Sequence, residues 1–153
     1  PSENNLVVRA YELLKYDFNI SPVHIHLHKM IPMGAGLGGG SSDAAYTLTL
    51  LNQLFNLKID KNGLEAYALK LGSDCPFFIE NKAKFIAGRG ESMEDSPINL
   101  KGYYLYIINP GIYVSTAEAH AVILIIENPV HLTLTASIEN RTNTVLNHFE
   151  TTI

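Results

Sequence analysis

The stretch PMGAGLGGGSSDAA, residues 32–45, guides the interpretation of the whole sequence. It holds five of the eleven glycines in the chain. Glycine loses much conformational entropy on folding, so such a cluster indicates that the backbone approaches something closely. Residues 23–30 alternate like a strand before it, and residues 41–57 have helical spacing after it. This order is typical of a phosphate site, because loop N–H groups and a helix N-terminus both favour an anion.

Two other glycine-rich phosphate motifs fit the stretch less well. The pattern G-x-x-x-x-G-K-[ST] is absent, because nothing supplies its lysine. Gly34, Gly36 and Gly39 match the dinucleotide pattern G-x-G-x-x-G, but that pattern follows a strand that is apolar on both faces. Here every second residue of the preceding segment is a histidine: His24, His26 and His28. We interpret these histidines as the polar face of a strand and not as a metal site, since a metal also needs convergent ligands.

The composition indicates a globular protein with a core of its own. The chain has 153 residues, of which 46% are hydrophobic and 17% charged, and its net charge is −4. An acidic balance argues against nucleic acid or an anionic membrane as the main partner. The lone cysteine, Cys75, fits a reducing compartment. No apolar run is long enough to span a bilayer, so we expect a cytoplasmic protein without a membrane segment.

Apolar spacing predicts helices over residues 3–16 and 41–57. The second helix follows the glycine stretch directly, and we expect a serine cap at its start, either Ser41 or Ser42. Its expected buried side consists of Ala45, Leu48, Leu51 and Leu54.

The remaining segments predict an α+β mixture. Residues 61–72 have the pattern of a further helix. Residues 23–30 and 103–108 alternate or are rich in β-formers, as strands are. Residues 83–95 predict a strand that two glycines break.

The glycine stretch also resembles the P-x-x-x-G-L-G-S-S-A motif of the GHMP kinases. Other parts of the chain resemble the same family in the same order: NLVVRAYELL, HIHLHKMIPMG, LGSDCPFFI, AGRGE and INPGIYVSTAEA. The resemblance covers about residues 3–120. It implies a GHMP-kinase-like (ribosomal protein S5 domain 2-like) N-terminal domain of α+β class, without its first strands and most of the C-terminal domain. Residues 1–121 would then be a partial ATP-binding domain, and residues 122–153 the start of a C-terminal region.

The resemblance implies a phosphoryl transfer from ATP, with Mg²⁺, to a small alcohol. The form G-L-G-G-G-S-S followed by a polar residue and two alanines is similar to one branch of the family. The alcohol of that branch is a cytidine diphosphate methylerythritol, used in isoprenoid precursor synthesis. Another GHMP kinase with a different alcohol, or a non-catalytic nucleotide-binding module, remains open. We expect this chain to be inactive alone and to dimerise through exposed strand edges.

The resemblance also assigns roles to single residues. Asp74 matches the catalytic aspartate, which orients the acceptor hydroxyl and takes its proton. An aspartate two residues before Pro76 is equally typical of a helix cap, and both roles can coexist. The expected ATP-binding residues are Asn5, Lys29, Pro32, Gly34, Gly36, Leu37, Gly38, Gly39, Gly40, Ser41 and Ser42. The expected substrate-binding residues are Asp74, Arg89, Thr116, Ala117 and His120. Asn5 fits a helix cap as well as an adenine contact, and Lys29 fits an ordinary strand end.

Overall fold

Four helices and one β-hairpin make up the described part of the chain. The structure, a computed structural model, describes residues 4–32, 34–88, 90 and 92–108, all within the unit Pro1–Asn109. The elements in order are α1 (Leu6–Phe18), α2 (Gly39–Leu54), α3 (Lys61–Leu71), α4 (Phe77–Glu80), β1 (Lys84–Ala87) and β2 (Ser92–Asp95). Helices and strands thus occur together, as the α+β prediction requires. Among the described helices, none has the length and apolar character to cross a membrane.

Helix α1 has a polar side chain at each boundary. The N–H of Val7 donates to Oδ1 of Asn5 at 2.9 Å, so Asn5 is the N-cap. At the other end Asn19 adopts a left-handed conformation and its N–H donates to the carbonyl of Lys15 at 2.9 Å. Asparagine tolerates this conformation better than most residues. The helix therefore begins three residues later and ends two residues later than the predicted 3–16.

Helix α2 begins at Gly39, earlier than the sequence predicts. Its N-cap is Gly38, with φ 66° and no side chain to form a cap. The predicted caps, Ser41 and Ser42, were wrong, because both lie inside the first turns. Gly38 can adopt the left-handed conformation without steric cost, and this turns the chain into the helix directly after the loop.

The core lies where α1, α2 and α3 pack together. Leu14 and Leu48 are fully buried there, and Leu71 and Cys75 close the core near the end of α3. Leu54, predicted on the buried side of α2, is 68% exposed and lines a surface groove instead, whereas Leu51 is buried. Asp60 caps α3 by accepting from the N–H of Gly63 at 2.8 Å.

The hairpin follows α4 after a short turn. Strands β1 and β2 are antiparallel, with Lys84 opposite Asp95 at the open end and Ala87 opposite Ser92 next to the tip. This confirms the predicted strand that breaks at its glycines. Gly88 and Gly90 both have positive φ in the tip, a conformation that glycine permits.

Two predicted strands, residues 23–30 and 103–108, are not strands in the structure. Their apolar side chains are largely exposed, including Ile25, Leu27 and Tyr104. A strand needs hydrogen bonds to a neighbour, and no segment of the described chain pairs with either stretch. The prediction was wrong for this reason: alternation indicates two faces but does not supply a partner strand.

We expect Leu48→Ala to lower the free energy of unfolding by about 3 kcal/mol, since it leaves a cavity in the core. Leu48 is 0% exposed, whereas Leu50 on the same helix is 63% exposed. The control Leu50→Ala should change the unfolding free energy by less than about 0.5 kcal/mol. Urea unfolding of the chain measures both values. Equal losses for the two variants would contradict the described packing of α2.

Candidate active site

Every second residue of the glycine loop has a left-handed backbone conformation. Gly34, Gly36 and Gly38 have φ of 76°, 69° and 66°, and the intervening Ala35 and Leu37 are not among the positive-φ residues. Such alternation turns successive N–H groups toward one side and forms a concave anion site. A Cβ built on Gly36 would meet nothing within 4 Å, so this part of the loop is open. Leu37 and Pro32 are exposed beside it.

The loop leads into a helix end with free donors. The first helical hydrogen bond runs from the N–H of Ser42 to the carbonyl of Gly38 at 2.9 Å. Among the described residues, nothing accepts from the N–H groups of Gly39, Gly40 and Ser41. With the partial positive charge of the helix terminus, these donors suit a phosphate group.

Lys29 lies beside this helix end. Its Nζ is 3.5 Å from the Cβ position of Gly39, and Ile31 approaches the same position to 3.1 Å. Any side chain at position 39 would crowd both residues. The ammonium is held by Asp43, whose Oδ2 lies 2.6 Å away. Lys29 is therefore fixed at the start of α2 with its charge partly compensated.

Asp43 is a site residue that sequence reasoning missed. It is the fifth residue of α2 and lies 14 positions from Lys29 along the chain. Its position beyond the glycines and serines gives no local signal, because the ion pair depends on how residues 23–31 lie against the helix. An acidic residue near a helix N-terminus is a weak hint of such a role.

Asp74 lies in the turn that follows α3. Its neighbour Cys75 is fully buried, whereas Asp74 itself is exposed. The N-cap of α4 is Pro76, and no cap bond to a side chain forms there. In the described part of the chain, no hydrogen bond reaches the Asp74 carboxylate. The structure therefore contradicts the helix-cap interpretation of Asp74 and leaves its carboxylate open to solvent.

The Asp74 turn packs against the start of α2. The Phe78 ring lies 2.8 Å from the Cβ position of Gly38, so that glycine must lack a side chain. Burial raises the pKa of the Cys75 thiol, and a hydrogen bond with the Ser41 side chain partly counteracts this. A buried thiol with a raised pKa is a poor nucleophile. The contact of the Phe78 ring with Gly38 thus joins the glycine loop to the segment that follows Asp74.

The hairpin tip also contacts this turn. A Cβ at Gly90 would overlap the carbonyl oxygen of Ser73. Gly90 has φ 104° and is buried. The structure therefore brings the glycine loop, Asp74 and the hairpin tip together. Four predicted substrate residues lie outside the described residues: Arg89, Thr116, Ala117 and His120.

Asn5 lies close to this assembly but acts as a helix cap. Its Oδ1 accepts from Val7, which is the alternative that the sequence left open beside adenine binding. The next residue, Leu6, has its Cδ1 3.9 Å from the Cβ position of Gly40. The start of α1 thus borders the start of α2.

The three alternating histidines lie in the segment that leads to Lys29. His24, His26 and His28 are exposed, and His24 and His26 line a groove of about 330 Å³ against the outer side of α2. No group of three or more histidine, cysteine or acidic side chains in the described part of the chain could hold a metal.

The chain belongs to the GHMP kinase family. The family model described as "GHMP kinases N terminal domain" matches residues 5–82, which is more than half of the 153 residues. The match includes α1 to α4, the glycine loop and Asp74. It confirms the family that the glycine stretch predicts.

Relatives with a named activity are similar over the same region. The 4-diphosphocytidyl-2-C-methyl-D-erythritol kinase of Bacteroides thetaiotaomicron is 54% identical over 119 residues, 78% of this chain and 43% of that protein. The enzyme of the same name from Burkholderia ambifaria is 42% identical over 135 residues, 88% of this chain and 45% of that protein. A crystal structure of 4-(cytidine 5'-diphospho)-2C-methyl-D-erythritol kinase matches with TM-score 0.61 and 35% identity, over 78% of this chain and 43% of that chain. The chain spans less than half the length of these relatives.

We expect Gly90→Ala to displace the hairpin tip, because its Cβ would overlap the Ser73 carbonyl. Gly102→Ala is a matched control, since Gly102 has φ 97° but no atom within 4 Å of its Cβ position. Both variants bear the strain of a positive φ, of order 1 kcal/mol. Only Gly90→Ala should also shift the amide resonances of Ser73 and Asp74. Equal shifts for the two variants would contradict the contact.

Proposed function

We propose that the protein containing this chain is an ATP-dependent kinase that phosphorylates a hydroxyl of 4-diphosphocytidyl-2-C-methyl-D-erythritol, in isoprenoid precursor synthesis. The observation that carries this proposal is the packing of the Asp74 turn against the start of α2, where the glycine loop leaves its N–H donors free. The names of the relatives support the choice of the alcohol.

The residues around the start of α2 are suited to bind the phosphates of a nucleoside triphosphate. Phosphate oxygens need closely spaced donors and room for the backbone to approach, and the loop offers both. Lys29 adds a positive charge next to Gly39. We propose that the loop glycines, Leu37 and the N–H groups of Gly39 to Ser41 line the phosphate site, with Asn5 and Pro32 at its border.

The start of α2 also offers oxygen ligands for Mg²⁺. This ion prefers carboxylate, hydroxyl and water oxygens beside phosphates. The side chains of Ser42 and Asp43 would supply such oxygens. When bound, Mg²⁺–ATP supplies the phosphoryl group and neutralises part of its charge.

Asp74 is the proposed catalytic residue. Its carboxylate is exposed and lies in a turn fixed by the buried Cys75 and by Gly90. A carboxylate in this position orients the acceptor hydroxyl and takes its proton as the bond to phosphorus forms. The loop N–H groups and Lys29 stabilise the negative charge that the transferred group carries.

Lys29 depends on Asp43 for its position. A flexible lysine loses conformational entropy when it contacts an anion. The ion pair at 2.6 Å already restricts the Lys29 side chain before ATP binds, so less entropy is lost on binding. The two side chains are about one quarter exposed, so an incoming phosphate can still reach the ammonium. We infer that Asp43 orients Lys29 toward the phosphate site.

We expect Asp74→Asn in the intact natural protein to lower kcat by about 100-fold or more, because the general base is lost. The affinity for ATP should change less than about twofold, since the proposed ATP contacts lie elsewhere. Glu12→Gln removes an exposed carboxylate on α1 and is the matched control, with unchanged kcat. Steady-state kinetics and calorimetry measure the two quantities.

Each other outcome of that assay contradicts a distinct part of the proposal. Wild-type turnover by Asp74→Asn would remove Asp74 from its catalytic role. Turnover of another small alcohol, but not of the cytidine compound, would indicate a different GHMP kinase. Binding of an ATP analogue without turnover of any alcohol would indicate a non-catalytic nucleotide-binding module.

The cytoplasm is the proposed location, because a lone buried thiol suits a reducing compartment. Arg89, Thr116, Ala117 and His120 keep their proposed role in substrate binding. Dimerisation through strand edges and the lack of a nucleic-acid partner stay predictions.

A further inference from the structure

The base of the hairpin holds a compact group of ion pairs. Nζ of Lys84 lies 2.6 Å from Oε2 of Glu80 and 2.5 Å from Oδ1 of Asp95. The Lys84 side chain is only 7% exposed. Lys61 on α3 also reaches Glu80, at 3.1 Å. Lys84 therefore ties the first residue of β1 to the end of α4, and Glu80 ties that point to α3.

In the described part of the chain, few other contacts hold the open end of the hairpin to the helices. Each strand has four residues, and most of their side chains are exposed or half-buried. Ile86, an apolar residue of β1, is about half exposed. A two-stranded hairpin without a buried face is marginally stable. Its orientation therefore depends on its two ends, the ion pairs at the base and the contact of Gly90 at the tip.

The two ends are mechanically connected. The strand from Lys84 to Ala87 is about 10 Å long. A small rotation of the hairpin about its base therefore displaces the tip. The tip cannot shift freely, because the Gly90 backbone lies directly on the Ser73 carbonyl. Ser73 precedes Asp74, so the base of the hairpin is linked to the carboxylate through one strand and one contact.

We propose that Lys84, paired with Glu80 and Asp95, is a positioning residue that holds the hairpin tip against the Asp74 turn and thereby sets where the alcohol substrate lies. The part that concerns the substrate rests on the proposed kinase function. Lys84 does not touch the reacting atoms; it acts through Gly90 and Ser73.

The ion pairs of Lys84 with Glu80 and Asp95 persist at neutral pH, because the pKa shifts keep all three groups charged. Hydrogen bonds from Lys84 and then Lys61 lower the pKa of Glu80 from 4.5 to about 2. Asp95 and Glu80 raise the pKa of Lys84. A carboxyl with a lowered pKa stabilises the folded form above pH 4.5, and this contribution is lost as the pH falls toward 2. All three partners are thus charged where a metabolic enzyme works.

The test compares Lys84→Met with Lys82→Met in the intact natural protein. Both variants remove one lysine charge next to Glu80, but Lys82 is 68% exposed and lies outside the strands. For Lys84→Met we expect KM for the alcohol to rise about 5- to 10-fold, because Glu80 and Asp95 lose the lysine that joins them and the hairpin tip loses its anchor. KM for ATP should stay within about twofold, and hydrogen exchange at Gly90 should quicken about tenfold. Lys82→Met should leave all three unchanged, and Lys84→Arg should restore them.

Several results would overturn the proposal. Unchanged exchange at Gly90 and an unchanged KM for the alcohol would show that Lys84 does not position the hairpin tip. An equal rise of both KM values, or faster exchange throughout α1 to α3, would show a merely structural role. If Lys84→Met fails to fold, Asp95→Asn removes the Lys84–Asp95 ion pair and Glu80→Gln removes the Lys84–Glu80 ion pair, and both variants are judged by the same criteria.

The exchange measurement separates this proposal from the kinase assignment. It needs no turnover, so it decides whether Lys84 anchors the tip even if no alcohol is phosphorylated. Loss of the kinase assignment would come from an inactive wild-type protein. Loss of the anchoring proposal would come from unchanged exchange at Gly90 in Lys84→Met.

Discussion

The close approach of backbone segments around the start of α2 is the constraint on which the site depends. Gly38 faces the Phe78 ring, Gly39 faces Ile31 and Lys29, and Gly90 lies on the Ser73 carbonyl. A Cβ at any of these positions would come within about 3 Å of another atom. Because glycine has none, the loop, the Asp74 turn and the hairpin tip meet at one place.

The helical core gives these contacts a fixed frame. The fully buried Leu14 and Leu48 join α1 to α2, and Cys75 joins the Asp74 turn to the same core. A site made of loops is only as precise as the elements that carry it. Here the loop is anchored by α2, and the turn is anchored by α3 and the buried thiol. The N–H donors and the Asp74 carboxylate thus lie on elements that share one buried cluster.

The sequence predicted what local patterns determine. The glycine stretch predicted a phosphate loop, its motif indicated the family, and the α+β class followed from periodicity. The serine caps were wrong, because the left-handed Gly38 starts the helix earlier than side-chain chemistry suggests. The prediction of strands at residues 23–30 and 103–108 was wrong, since a strand needs a partner segment elsewhere in the chain and not only a β-type sequence pattern.

The ion pairs near the site could not be predicted from local sequence patterns. Asp43 reaches Lys29 over 14 positions, and Lys84 reaches Asp95 over 11. In the sequence Asp43, Lys84 and Asp95 are ordinary charged residues, and the expected ATP-binding role of Lys29 does not indicate its partner. Only packing shows which charges face each other, and the same holds for the Phe78 ring against Gly38. The chemistry of the site is visible in the motif, whereas its support appears only in three dimensions.

The most direct test of the account is to follow backbone amide resonances while a non-hydrolysable ATP analogue with Mg²⁺ is added to the intact natural protein. The account predicts saturable shifts centred on residues 36–42 and on Lys29, with small shifts in α3. Shifts centred on the groove between His24 and Leu54, with residues 36–42 unaffected, would contradict the claim that the glycine loop and the start of α2 bind the phosphates.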